Sequence, residues 1–211
     1  MDKQELLKKV SKSYTVLGFV FLLFALILVS IPISPYIIYR LFPNQTEKDV
    51  AIISEKVEDS GIINIGVTDS TLPPQDKDLP KESLLLIPKI NVHTPISTDS
   101  SYDQALKEGS WLVPDYGTPM NGKKPIIIAA HRFGYIYWDR QTRNKISFYN
   151  LPNTHVGDEI AIIWDQREFK YKITEEVEST HITDYSADLI LYTCKYFNSP
   201  VRIFRYAERV E

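Results

Sequence analysis

Short apolar bursts separated by turn residues constrain this chain most, because few folds can use so many of them in so short a length. In "REFKYKITE", Phe169, Tyr171 and Ile173 fall on one face while Lys170 and Lys172 fall on the other, the period-two pattern of a strand with one covered side. "SLLLIPKINV", "PIIIAAH", "DEIAIIWD", "DLILYTC" and "VRIFRYAERV" read as further strands, punctuated by Pro, Asn, Gly and Asp. A content of 13 Tyr, 9 Phe and 3 Trp suits strands better than helices. Helical signal is confined to short pieces, Tyr102–Lys107 and the region around Ile146–Leu151. Many short strands between residues 82 and 211 predict a mainly β domain, either a sandwich or a closed barrel. Periodicity alone does not choose between the two.

The N-terminal part follows different rules. "MDKQELLKKVSKS" carries Lys3, Lys8, Lys9 and Lys12, and no charged residue follows until after Tyr39. A hydrocarbon core of roughly 30 Å needs about 20 apolar helical residues, so the run 14–39 is long enough to span. A cleaved leader would have a shorter apolar region and small residues at its cut site, whereas Pro32, Pro35, Tyr36 and Tyr39 occupy that place. The expectation is one transmembrane helix over 14–39. Basic residues before it put 1–13 in the cytoplasm and the rest outside the cell membrane, as a single-pass protein. Residues 40–81, with the proline-rich "TLPPQDKDLPKES", read as an extracytoplasmic stalk, in which Ile62–Val67 can add a short strand or helix. Residues 82–211 form the folded domain. A net charge of −3 gives no sign of a nucleic-acid partner.

The chain has 1 cysteine, Cys194, so no internal disulfide can form and no resolving thiol exists for redox cycling. Residue type alone suggests a small buried hydrophobe. Position suggests more: Cys194 ends an apolar strand just before the turn-rich "KYFNSP", at a rim where functional groups are usually carried. A cysteine nucleophile needs a base or a positive charge beside it. His131 ends the strand "PIIIAA" and opens the loop "RFGYIYWDR", a second rim. His93 belongs to an early strand, and His155 and His181 read as solvated loop residues. No histidine pair has metal-ligand spacing, and one cysteine cannot build a thiolate zinc site. Glu175, Glu176 and Glu178 form a small acidic cluster able to hold calcium, with a solvated strand face as the simpler reading. Arg202 and Arg205 are three apart in the last strand, so they face opposite sides and only one can face Cys194. Arg202 is the nearer choice, which leaves Arg205 as surface charge. Either can equally be a solvated arginine whose stem covers apolar surface.

Taken in order, these pieces resemble the sortase family of membrane-anchored cysteine transpeptidases. "LLIPKINVHTPI" resembles its opening strand, "ALKEGSWLVPDYGTPMNGKKPIIIAAHR" the approach to its catalytic histidine, and "FYNLPNTHVGDEIAI" the short helix and strand that follow. "LILYTC" matches the Thr-Leu-x-Thr-Cys box from Leu191 to Cys194, and "VRIFRYAERV" resembles the closing strand with its arginine at Arg202. The family's glycine before the histidine is Ala130 here, and the box threonine is Ile190. The resemblance implies a closed β-barrel with short helices and a catalytic set of Cys194, His131 and Arg202. Thr193 and Ala130 would lie on the substrate side. No cofactor is expected, with calcium possible but unsupported by the sequence.

The implied reaction is attack of the Cys194 thiolate, paired with imidazolium at His131, on a sorting-signal peptide. The thioester then passes to an amine acceptor of cell wall or pilin. Two other readings stay open: a cysteine peptidase that releases product to water, and a silent sortase-like binding module.

Overall fold

The computed structural model describes residues 12–28, 63–64, 72–197 and 199–210. The chain divides into two compact units, Met1–Pro43 and Asn44–Glu211. In the first, residues 12–28 are helical, and their apolar side chains, from Phe19 to Leu28, are exposed. Among the described residues no helix is long and apolar enough to cross a membrane. The expected span runs on to residue 39, and its part beyond residue 28 lies outside the described residues.

In the second unit the apolar bursts become strands: β1 (Ile63–Asn64), β2 (Leu84–Ile87), β3 (Val92–Ser97), β4 (Ser110–Leu112), β5 (Lys123–Lys124), β6 (Ile126–Ala130), β7 (Glu159–Trp164), β8 (Arg167–Ser179), β9 (Leu189–Cys194) and β10 (Arg202–Arg209). Eight of them close into a barrel in the order β10-β8-β7-β2-β3-β4-β6-β9, which resolves the choice between sandwich and barrel. Closure depends on two parallel pairings, β3 with β4 and β6 with β9, both between strands distant in sequence or split by a helix. The pair β1–β5 lies outside the barrel, so a strand does form within Ile62–Val67.

Both faces of β6 and β9 are covered, which is why they read as unbroken apolar runs. Ile126, Ile128, Ala130, Leu189 and Leu191 join the barrel interior with Leu85, Ile87, Ile160, Ile162, Phe169 and Tyr171. Ile127, Ala129, Ile190 and Tyr192 face outward into a second apolar layer with Trp111, Ile182 and Phe204. Helix α1 (Tyr102–Glu108) lays Ala105 and Leu106 on that layer. β8 alternates more strictly because its outer side keeps lysines at the surface. The turn from β7 to β8 is Asp165–Gln166, both at positive φ, the twist-matched geometry of a two-residue hairpin.

Helix α2 (Arg140–Ile146) buries no residue, so apolar periodicity gives no hint of it. Its one local signal is Asp139 at the N-cap, whose carboxylate accepts from the Thr142 amide at 2.6 Å. The end of the expected stalk is tied to the barrel: the Asp76 amide donates to the Gln166 carbonyl at 2.8 Å, and the Gln166 side chain donates to the carbonyls of Lys77 and Leu79.

Candidate active site

Three adjacent strands bring the candidate residues together. In the antiparallel β9–β10 ladder Arg202 lies directly opposite Cys194, a pairing that holds Cβ atoms about 5 Å apart on one face. The parallel β6–β9 register runs from Ile126 beside Leu189 to Ala129 beside Tyr192. His131 follows β6 directly and Cys194 ends β9, so each stands two residues past the last β6–β9 pair. Alternation settles the face: Ala130 and Ile203 point into the barrel, so His131, Cys194 and Arg202 point outward. In this row Cys194 and Arg202 pair across β9 and β10, and His131 opens the loop after β6 at the same end of the barrel.

The row is braced from behind. Thr193 is buried, and its hydroxyl donates to the Ala130 carbonyl at 2.8 Å, joining the residue before Cys194 to the residue before His131. The His131 carbonyl in turn accepts from the Phe148 amide at 2.8 Å, and the Lys195 amide donates to the Val201 carbonyl at 2.9 Å. Thr193 and Ala130, expected on the substrate side, are therefore both buried, 2% and 5% exposed, against the barrel.

Aromatic side chains enclose the outer side. Tyr135 places its hydroxyl 3.2 Å from His131 Nε2, with the two rings edge to face at 5.3 Å. Trp138 and Tyr137 pack on Tyr135 in turn. The turn needs glycine at Gly134: φ is +72°, and a Cβ there would meet the Trp138 ring at 2.2 Å. Phe133 on this loop meets Phe197 on the β9–β10 loop at 6.3 Å. Burial pushes the Cys194 thiol up to about 11, with the Arg132 charge pulling the other way, and pushes His131 down to about 4. Both shifts favour a neutral thiol and a neutral imidazole at pH 7 over the ion pair that the resemblance implies. The cause is desolvation, which penalises both charged forms. Burial also pulls Arg202 down from its usual range, and its guanidinium donates to the Ser199 carbonyl.

The reading of Arg205 as surface charge is corrected. Arg205 does face away from Arg202, but it is only 4% exposed. In a closed barrel the other face of a strand is interior, not solvent. There Arg205 Nε donates to Thr154 Oγ1 at 2.9 Å and to the Thr154 carbonyl, Nη1 donates to the Phe204 carbonyl, and Nη2 lies 3.3 Å from Glu176. Glu176 also accepts from the Val156 amide at 3.0 Å, and Glu178 pairs with Lys195, so two carboxylates of the acidic cluster already have partners. Among the described residues no group of His, Cys, Asp or Glu is arranged to hold a metal ion. His93 and His181 are exposed and His155 is bonded to Glu176. Arg132 and Tyr135 escape the sequence reading, since only the fold returns their loop onto Cys194 and His131.

The sortase domain family model matches residues 85–210, more than half of the chain. The chain belongs to the sortase family. Solved sortases share the fold: Streptococcus agalactiae sortase C1 in complex with MTSET is 20% identical, with a TM-score of 0.51 over 62% of this chain and 68% of that one. Group B Streptococcus Pilus Island 1 sortase C2 is 19% identical, with a TM-score of 0.52 over 80% of this chain and 98% of that one. Sortase C-1 from Actinomyces oris is 18% identical, with a TM-score of 0.50 over 78% and 97%. No curated protein matches the chain significantly. The likeness to these structures bears on fold; the row of His131, Cys194 and Arg202 bears on chemistry.

Proposed function

We propose that this sortase is a cysteine transpeptidase in which Cys194 is the nucleophile, His131 the proton carrier and Arg202 the oxyanion partner. The observation that carries the reading is the row itself: Cys194 paired with Arg202 across β9 and β10, with His131 just past the end of neighbouring β6. As the peptide carbonyl arrives, the Cys194 proton passes to His131 and the sulfur adds to the carbonyl carbon. The carbonyl oxygen takes up negative charge, which Arg202 stabilises because its guanidinium stays cationic at any accessible pH. His131 returns the proton to the departing amine as the C–N bond breaks, leaving a thioester on Cys194. An amine acceptor then attacks the thioester, His131 takes its proton, and the thiol is regenerated. Thr193 and Ala130 act from behind, holding β6 and β9 in the register that joins nucleophile to base.

The substrate class is the sorting-signal peptide of a surface protein, and the acceptor is an amine of cell wall or pilin, as the family's chemistry implies. The N-terminal run 14–39 would hold the enzyme in the cell membrane with 1–13 in the cytoplasm and the barrel outside. The lysines before that run and the exposed apolar residues of the helix over 12–28 support this placement. The deciding assay incubates the enzyme with sorting-signal peptides, with and without a peptide amine, and separates the products. Transfer product in excess of free acid supports transpeptidation. Free acid alone, unchanged by added amine, makes the enzyme a hydrolase, and no product from any peptide makes it a binding module.

A further inference from the structure

We propose that Arg132 is a positioning residue that clamps the Cys194 loop and supplies the positive charge beside Cys194 that favours its thiolate. The inference rests on Cys194 being the nucleophile and concerns how that nucleophile is prepared.

Arg132 follows His131 directly, yet its Nη1 donates to the carbonyl of Lys195, the residue after Cys194. Lys195 is thereby held through both of its backbone groups, its amide on Val201 and its carbonyl on Arg132. The two loops also meet through Phe133 and Phe197, with the Arg132 guanidinium 5.2 Å from the Phe133 ring centroid. Arg132 Nε is buried with no hydrogen-bond partner among the described residues, so the guanidinium keeps a donor unspent. The other groups around Cys194 are differently occupied. Lys195 pairs with Glu178 on β8, while Arg202 on β10 donates to Ser199 and keeps its charge opposite Cys194. Burial favours the neutral form of His131, just past β6, and keeps Tyr192, two residues back on β9, protonated. Against the burial that raises the thiol, the charge of Arg132 is the opposing influence.

The test measures alkylation of Cys194 by iodoacetamide across pH in the full chain, with circular dichroism to verify folding. Alkylation reads the thiol without any peptide, so it stays informative even if transfer activity is never found. Conversely, peptide turnover persisting in Cys194→Ala would defeat the functional reading and leave the alkylation result standing. Arg132→Gln should move the alkylation midpoint upward and slow the reaction at pH 8 about three- to tenfold, since one unit of pKa is a factor of ten in thiolate. Arg132→Lys, which keeps the charge, should restore most of that rate while losing turnover, because an ammonium does not reproduce the guanidinium's fixed donors. A glutamine profile that overlays the wild type overturns the proposal, and so does a lysine profile that overlays glutamine. Should the glutamine variant fail to fold, Arg132→Lys decides alone: alkylation within twofold of wild type with impaired turnover supports the clamp, and unimpaired turnover overturns it.

Discussion

Thr193→Val tests how far the active-site row depends on the bond behind it. The substitution keeps the β-branched shape and nearly the volume, and removes one hydroxyl. In the fold that hydroxyl is buried and donates to the Ala130 carbonyl at 2.8 Å, one residue past the last β6–β9 pairing. Valine leaves that carbonyl without this donor in a site 2–5% exposed. An unsatisfied buried acceptor costs about 1–3 kcal/mol, which in a domain of this size lowers the melting temperature by about 3–8 °C. Function should suffer more than stability, because the bond sets the spacing of His131 from Cys194 and misplacement by about 1 Å can cost on the order of 100-fold in rate. The assay pairs thermal denaturation with kcat/KM for peptide transfer, and Thr193→Ser serves as the control that retains the hydroxyl. A valine variant as stable and as active as wild type would refute the claim that this bond braces the site. A serine variant no better than valine would refute it too.

Other predictions follow from the same packing. Arg205→Met should destabilise the barrel by about 1–3 kcal/mol in urea titration, since it leaves the buried Thr154 hydroxyl and carbonyl without their donor. A stability unchanged from wild type would return Arg205 to the surface. Tyr135→Ala should expose His131 and raise its pKa from about 4 toward 6.5, read from the imidazole proton shifts by NMR; no movement would mean that Tyr135 contributes nothing to the desolvation. The pH dependence of stability has a worked sign. Below pH 6.5 the unfolded chain protonates His131 before the folded one does, so stability falls from pH 6.5 to about 4. Above pH 9 the unfolded chain ionises Cys194 first, so stability falls again toward pH 11. His131→Asn should flatten the acid limb and Cys194→Ala the alkaline one, and a limb unchanged in its variant would count against the burial described.

The strands were legible because burial writes itself into sequence. β8 alternates with one face covered, while β6 and β9 run apolar with both faces covered. Closure was not legible from periodicity, because it turns on the parallel pairing of β6 with β9 across a separation of some sixty residues. The resemblance, rather than the pattern, pointed to a barrel. Helix α2 left no trace because it buries nothing, and β4 is only three residues long. Within the site, His131 and Cys194 could be placed at strand rims and Arg202 separated from Arg205 by alternation. What alternation could not say is that the far face of β10 is interior, which is why Arg205 was misread. Arg132 and Tyr135 were hidden for a related reason: their roles come from loops that fold back onto neighbouring strands, and no local period encodes that.

The central claim is covalent chemistry at Cys194, and intact-mass measurement tests it most directly. The enzyme would be mixed with a sorting-signal peptide without acceptor, quenched in acid and weighed, and the adduct located by fragmentation. The account predicts an acyl adduct on Cys194 that disappears when a peptide amine is added and never forms in Cys194→Ala. Peptide cleavage by Cys194→Ala at the wild-type rate would contradict it.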